Sequence, residues 1–151
     1  MGAAGEAQGL VCLAPREASI FACLVDTVAG PEPVLPPVAQ TDCAFAFDRW
    51  MAAGPALNAR GMRALLLAIE LLPYVMGYGR RFRRLSPAQR ARFLQTIEST
   101  SNQHLRQLVK VVKGAAFLAY YGDDAVMRRL GYDASANLER ARSLRALEAR
   151  P

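Results

Sequence analysis

ALLLAIELL, residues 64–72, decides the fold class. Eight of its nine residues are apolar, and at helical spacing they make the helix apolar nearly all round. A helix that is hydrophobic all round is expected to be central in a globular chain. The pattern begins after Pro55, which makes it too long for a buried strand. Pro73 then breaks or kinks the helix, because it lacks an N–H and clashes with the preceding turn, and residues 74–79 continue as a further turn or two. A membrane span needs about 20 apolar residues. The run 64–79 has 16, with Glu70 and Pro73 inside it. A buried core helix is the expectation. The basic flank at Arg80, Arg81, Arg83 and Arg84 keeps an interfacial role open.

Helical signals recur on both sides of this segment, and no period-2 run bounded by turn residues occurs. A first helix is expected from Pro15 or Arg16 to about Val28, with Ile20, Phe21, Leu24 and Val28 on one face. The stretch GPEPVLPP (30–37) holds four prolines and reads as an extended, semi-rigid connection. A second helix spans roughly 42–53, capped by Thr41 or Asp42. Phe45, Phe47, Trp50 and Met51 carry its bulk, and Gly54 ends it. Ser86-Pro87-Ala88-Gln89 is the clearest start signal: a capping serine, a proline suited to the first helical position and a glutamine to close the box. That helix runs to about Glu98 and buries Phe93, Leu94 and Ile97. The next spans about 102–121, with an apolar stripe of Leu105, Leu108, Val109, Val112, Ala116 and Ala119. Gly122 stops it, Asp123 or Asp124 caps a short helix, and Gly131 suits its C-terminal end. The last helix, about 135–149, is rich in Arg and Glu with sparse apolar positions. The expectation is an all-α, single-domain bundle of about six to seven helices with a Pro-rich connection after the first. Residues 1–14 read as a flexible N-terminal tail, 15–133 as the bundle and 134–151 as a charged, loosely packed C-terminal helix.

The formal charge of +6 is unevenly spread. Residues 80–113 hold nine cations and one acid, Glu98, so that stretch carries +8 and the remainder −2. A localised positive patch suits an acidic protein surface, an anionic lipid surface or nucleic acid. The reading without a partner is a solvated basic face, since 17 of the 19 cations are Arg, a bias that base composition also produces. Three cysteines, Cys12, Cys23 and Cys43, form no CxxC pair and read as reduced and mostly buried. The start of the chain lacks a basic-then-apolar leader, and the expected location is cytoplasmic.

Catalytic constellations are thin. His104 is the only histidine and sits near a helix start, where a surface or capping role is the common one. No nucleophile elbow, phosphate-cradling glycine loop or HExxH motif occurs. Gly77 and Gly79 read as a turn. Asp123, Asp124 and Asp133 are explained by helix capping more simply than by metal or acid–base chemistry. No catalytic, cofactor-binding or metal-binding residue is expected in this chain. The expected partner-binding residues are Arg80, Arg81, Arg83, Arg84, Arg106, Lys110 and Lys113, with Tyr120, Tyr121 and Tyr132 as aromatic contacts. One tyrosine of the adjacent pair should seal a core corner and the other face out. Nucleic-acid recognition by a helix-turn-helix is disfavoured, because the helix at 102–121 is too long and too apolar in its C-terminal half.

FRRLSPAQR (82–90), HLRQLVKVVKGAAFLAYYGD (104–123) and VMRRLGYD (126–133), in that order, resemble a helical region attached to flavin-dependent GMC oxidoreductases. The set is similar to the N-terminal region of long-chain alcohol oxidases. It is similar, more loosely, to the small subunit of gluconate 2-dehydrogenase-like enzymes. FACLVD (21–26) before the Pro-rich stretch suits the same layout. The resemblance implies a non-catalytic accessory subunit that binds a larger flavoprotein, which would hold FAD and oxidise an alcohol or sugar. The chain departs from the oxidoreductases in having no GxGxxG, so the flavin would belong to the partner. The alternative is a membrane-surface or nucleic-acid-binding adaptor that uses the basic patch 80–113.

Overall fold

The computed structural model describes residues 9–30 and 33–148, with the side chains of 134, 135 and 146–148 left aside. Residues 1–8 of the expected tail, residues 31 and 32 of the Pro-rich connection and residues 149–151 of the last helix lie outside the described residues. The described residues form seven α-helices: α1 (Pro15–Ala29), α2 (Cys43–Ala53), α3 (Ala56–Pro73), α4 (Pro87–Glu98), α5 (Gln103–Tyr121), α6 (Asp124–Arg129) and α7 (Ala134–Glu148). No strand occurs among the described residues. The all-α bundle is therefore the fold.

α1 is the hub and packs on α2, α3, α4 and α5, most extensively on α5. Ile20, Phe21, Leu24 and Val25 of α1 are fully buried. Phe21 stacks on Phe47 of α2 with ring centroids 3.9 Å apart. Phe82 and Tyr78 close the other side of the core against Phe93 of α4. Local signals set the helix ends. Ser86 Oγ accepts from the Gln89 backbone N–H while Gln89 accepts from that of Ser86, the box expected from SPAQ. Asn102 Oδ1 accepts from the N–H groups of His104 and Leu105 to start α5. Asp123 Oδ1 does the same for α6. Gly131, at φ 76°, ends α6: its N–H bonds the Arg128 carbonyl and that of Tyr132 bonds Met127, which is a Schellman closure.

Among the described residues three acids are buried, and each is hydrogen-bonded. The Asp48 carboxylate accepts from the backbone N–H groups of Val11, Cys12 and Leu13 at 2.6–2.9 Å. Glu17 accepts from Arg63 Nε and the Ala14 N–H. Glu70 accepts from the Arg83 N–H and Nε. Burial pushes the Asp48 carboxyl up, but the three N–H bonds outweigh it and hold the group below the usual carboxylate range.

Four differences from the sequence reading have physical causes. Residues 11–13 are pinned to Asp48, and Leu13 is buried, so this part of the expected tail is held in place. Neither Thr41 nor Asp42 caps α2 with its side chain; the Asp42 N–H instead donates to Asp123 Oδ2, which ties the start of α2 to α6. Phe45 and Trp50 are exposed, since α2 turns only Cys43, Phe47 and Asp48 fully inward. α3 is not central. Its inner row of Ala59, Leu66, Ile69, Glu70 and Pro73 is buried, while Leu57 and Leu71 face out. After Pro73 the chain widens into a π turn, Tyr74–Tyr78, that ends through positive φ at Gly77 and Gly79. The described side chains of α7, residues 136–145, are all exposed.

Candidate partner interface

α5 separates its faces cleanly. Val109, Val112, Ala116, Ala119 and Tyr120 point into the core. Arg106, Lys110, Lys113, Phe117 and Tyr121 fall three or four residues apart and therefore share one flank of the helix, beside that buried stripe. Its first half is cationic and its second aromatic. Gly114 lies between them and opens a groove of about 550 Å³ lined by Arg106, Lys110, Lys113 and Phe117, with Glu98 of α4 on its edge. Lys113 Nζ pairs with Glu98 at 2.6 Å, and Arg106 Nη1 donates to the Thr100 carbonyl at 2.6 Å. These contacts fix two of the cations along the groove wall. Lys110 is exposed and makes no hydrogen bond or ion pair with the described residues. Phe117 and Tyr121 stack with centroids 6.0 Å apart and extend the groove as an aromatic shelf.

The expected site residues therefore divide. Arg106, Lys110, Lys113 and Tyr121 come together on α5. Tyr120 does not join them: it is buried and donates its hydroxyl to the Pro36 carbonyl at 2.7 Å, pinning the Pro-rich connection to α5. This is the expected split of the pair. Tyr132 is exposed just past α6. Arg80, Arg81 and Arg84 are exposed on the connection between the π turn and α4. Arg83 departs from that group. It turns inward to Glu70 and Ser19, so its role is structural. Arg90, another cation of the basic stretch, also points inward, toward Cys23 and Asp26. The +8 segment is thus not one continuous face.

Residues 117 and 118 lie outside the apolar stripe read from the sequence. Phe117 is partly and Leu118 largely exposed. Their exposure follows from phase, because the helix cannot turn both 116 and 118 inward. Trp50 approaches the same end: its ring lies 3.8 Å from where a Cβ on Gly122 would stand. His104 is exposed, and its backbone N–H donates to Asn102 Oδ1. No group of three or more His, Cys, Asp or Glu at metal-binding distance occurs among the described residues. All three cysteines are free thiols. Burial pushes the Cys23 and Cys43 thiols up, against the opposing pull of Arg90 on Cys23 and of a Thr41 hydrogen bond on Cys43. Both stay protonated at neutral pH, the unreactive form.

The helix Ala56–Tyr78 is long and apolar enough by composition to cross a membrane, with 22% of its most apolar window buried. No family model matches the chain, and no curated protein or solved structure matches it significantly.

Proposed function

We propose that the chain is a non-catalytic helical subunit that docks on a larger protein through the outer face of α5. The observation that carries this reading is the joining, on one helix face, of Arg106, Lys110 and Lys113 to the Phe117–Tyr121 shelf across the notch at Gly114. Protein interfaces favour that mixture: aromatic anchors supply area, and arginine supplies directed hydrogen bonds. The complementary surface is acidic beside an apolar pocket. The resemblance of residues 82–133 to helical regions associated with GMC oxidoreductases supplies the class of partner, an FAD-dependent alcohol or sugar oxidoreductase. The flavin chemistry would lie in that partner.

The test is co-purification of the tagged chain from its native cells, followed by an absorbance scan for flavin. A large flavin-bearing polypeptide is expected in the eluate, and Arg106→Ala/Lys110→Ala/Phe117→Ala should remove it. Recovery of the same polypeptide by that variant would eliminate α5 as the docking face. A large partner without flavin would eliminate the oxidoreductase assignment and leave the docking face.

A second reading, a membrane-surface adaptor, has its own observation. Leu71, Tyr74, Val75 and Met76 are exposed at the end of α3, beside the exposed Arg80, Arg81 and Arg84. Basic residues flanking an apolar tip favour an anionic bilayer surface. Flotation with anionic vesicles at low salt tests it, and absence of binding rejects it.

A further inference from the structure

An outward row of apolar residues runs the length of α3 and on to Val75 in the π turn, and most of it is exposed. Leu57, Gly61, Ala64, Ala68, Leu71 and Val75 alternate at spacings of four and three residues, which is the seam of a two-helix coiled coil. The row on the far side of the helix, Ala59, Leu66 and Pro73, is buried in the protomer's own core. The seam therefore faces straight outward: Leu57 is 78%, Leu71 46% and Val75 79% exposed, and Gly61 and Ala64 are exposed between them.

We propose that this seam is the interface of a two-fold, antiparallel homodimer. The six positions are symmetric about Leu66, so each has a counterpart at the same distance on the other side. Laid antiparallel on a second copy, Leu57 meets the partner's Val75, Gly61 meets the partner's Leu71, and Ala64 meets the partner's Ala68. Large side chains sit at the ends and over the glycine, and small ones cross at the axis. Such self-complementarity is what an isologous interface demands.

Gly61 gives a separate reason. A Cβ there would meet nothing within 4 Å, so no contact inside the protomer excludes a side chain. A mid-helix glycine nonetheless costs helix stability relative to alanine. The knob of the partner's Leu71 would use the space that Gly61 leaves open. Charge agrees as well. The flanks of the seam carry no acid; their one cation, Arg60, falls beside the partner's Tyr74, where a cation–π contact can form. Leu65 and Leu67 flank the axis and meet their own copies. A bilayer is the poorer occupant, because Gly61, Ala64 and Ala68 offer little area to bury in lipid yet let two helix backbones approach closely.

The full-length chain should sediment as a concentration-dependent dimer. Gly61→Leu should weaken association at least tenfold without lowering helical content, since the added side chain has room in the protomer. Orientation is read by oxidative cross-linking, with the bridged positions mapped by mass spectrometry. A mixture of Leu57→Cys and Val75→Cys chains should form a bridge between positions 57 and 75, and neither variant alone should bridge to itself at the introduced position. A chain that is monomeric at all concentrations overturns the proposal. So does association that Gly61→Leu leaves intact, or bridging of 57 to 57, which signals a parallel pair. Binding of a monomeric wild type to phosphatidylserine vesicles, lost in Leu57→Ser/Val75→Ser, would overturn it in favour of lipid.

Discussion

α3 and α5 are the two longest helices, and they use their surfaces in opposite ways. α5 states in its own sequence which side is wet: its buried stripe of Val109, Val112, Ala116 and Ala119 stands against Arg106 and Lys110. α3 makes no such statement, because its inner row and its outer seam are both apolar. Uniform hydrophobicity here did not place the helix deeper; it left an apolar outer row exposed. The sharpest way to break this contrast is to truncate both faces of α3. Leu66→Ala, at a fully buried position, should cost about 2–5 kcal/mol, the range for a cavity left in a packed core. Leu71→Ala should cost less than about 1 kcal/mol in the monomer. Equal losses in urea denaturation would show that the exposed face is packed.

Inner and outer charges differ as the faces do. Asp48→Asn keeps the shape but removes a charged acceptor from three backbone donors, and should cost on the order of 2–4 kcal/mol. The pH dependence has a definite sign. A carboxyl whose folded value is depressed contributes fully above its unfolded value, about 3.9, and loses that contribution as pH falls through the lower folded value. The gap between wild type and Asp48→Asn should therefore be flat at neutral pH and close below about pH 4. A gap that widens on acidification would contradict the assignment.

Local chemistry was legible and distant chemistry was not. The box at Ser86–Gln89, the cap at Asp123 and the glycine closure at Gly131 each involve residues within about five positions, so spacing alone exposes them. The same holds for Arg106, Lys110 and Lys113, which one helix turns to one side. Asp48 holding Val11–Leu13, Glu70 capturing Arg83 and Asp123 reaching Asp42 join residues 13 to 81 positions apart, and no local pattern marks them. The exposure of Trp50 had no signal either. An aromatic on a short helix looks alike inside and out until the neighbouring helices are placed.

The adjacent tyrosines repeat the contrast at smaller scale. Tyr120→Phe removes a hydroxyl that bonds the Pro36 carbonyl from a buried position, and should cost about 0.5–1.5 kcal/mol. Tyr121→Phe, on the exposed shelf, should stay within about 0.5 kcal/mol of wild type. If Tyr121→Phe proved the more damaging, the division between core corner and docking shelf would be reversed.

The smallest effect expected is at Lys113. Its pair with Glu98 is short, yet both side chains keep substantial solvent contact, and exposed pairs of this kind contribute about 0–1 kcal/mol. Lys113→Ala should therefore barely move the unfolding midpoint. A double-mutant cycle with Glu98→Ala should give a coupling below about 1 kcal/mol that shrinks as salt screens the pair. The small value is itself informative. A groove whose cations contribute little to the fold can exchange those contacts for a partner's carboxylates at little cost. Were the coupling instead large and insensitive to salt, Lys113 would belong with Arg83 among the structural cations, and the docking face would narrow to Arg106, Lys110 and the aromatic shelf.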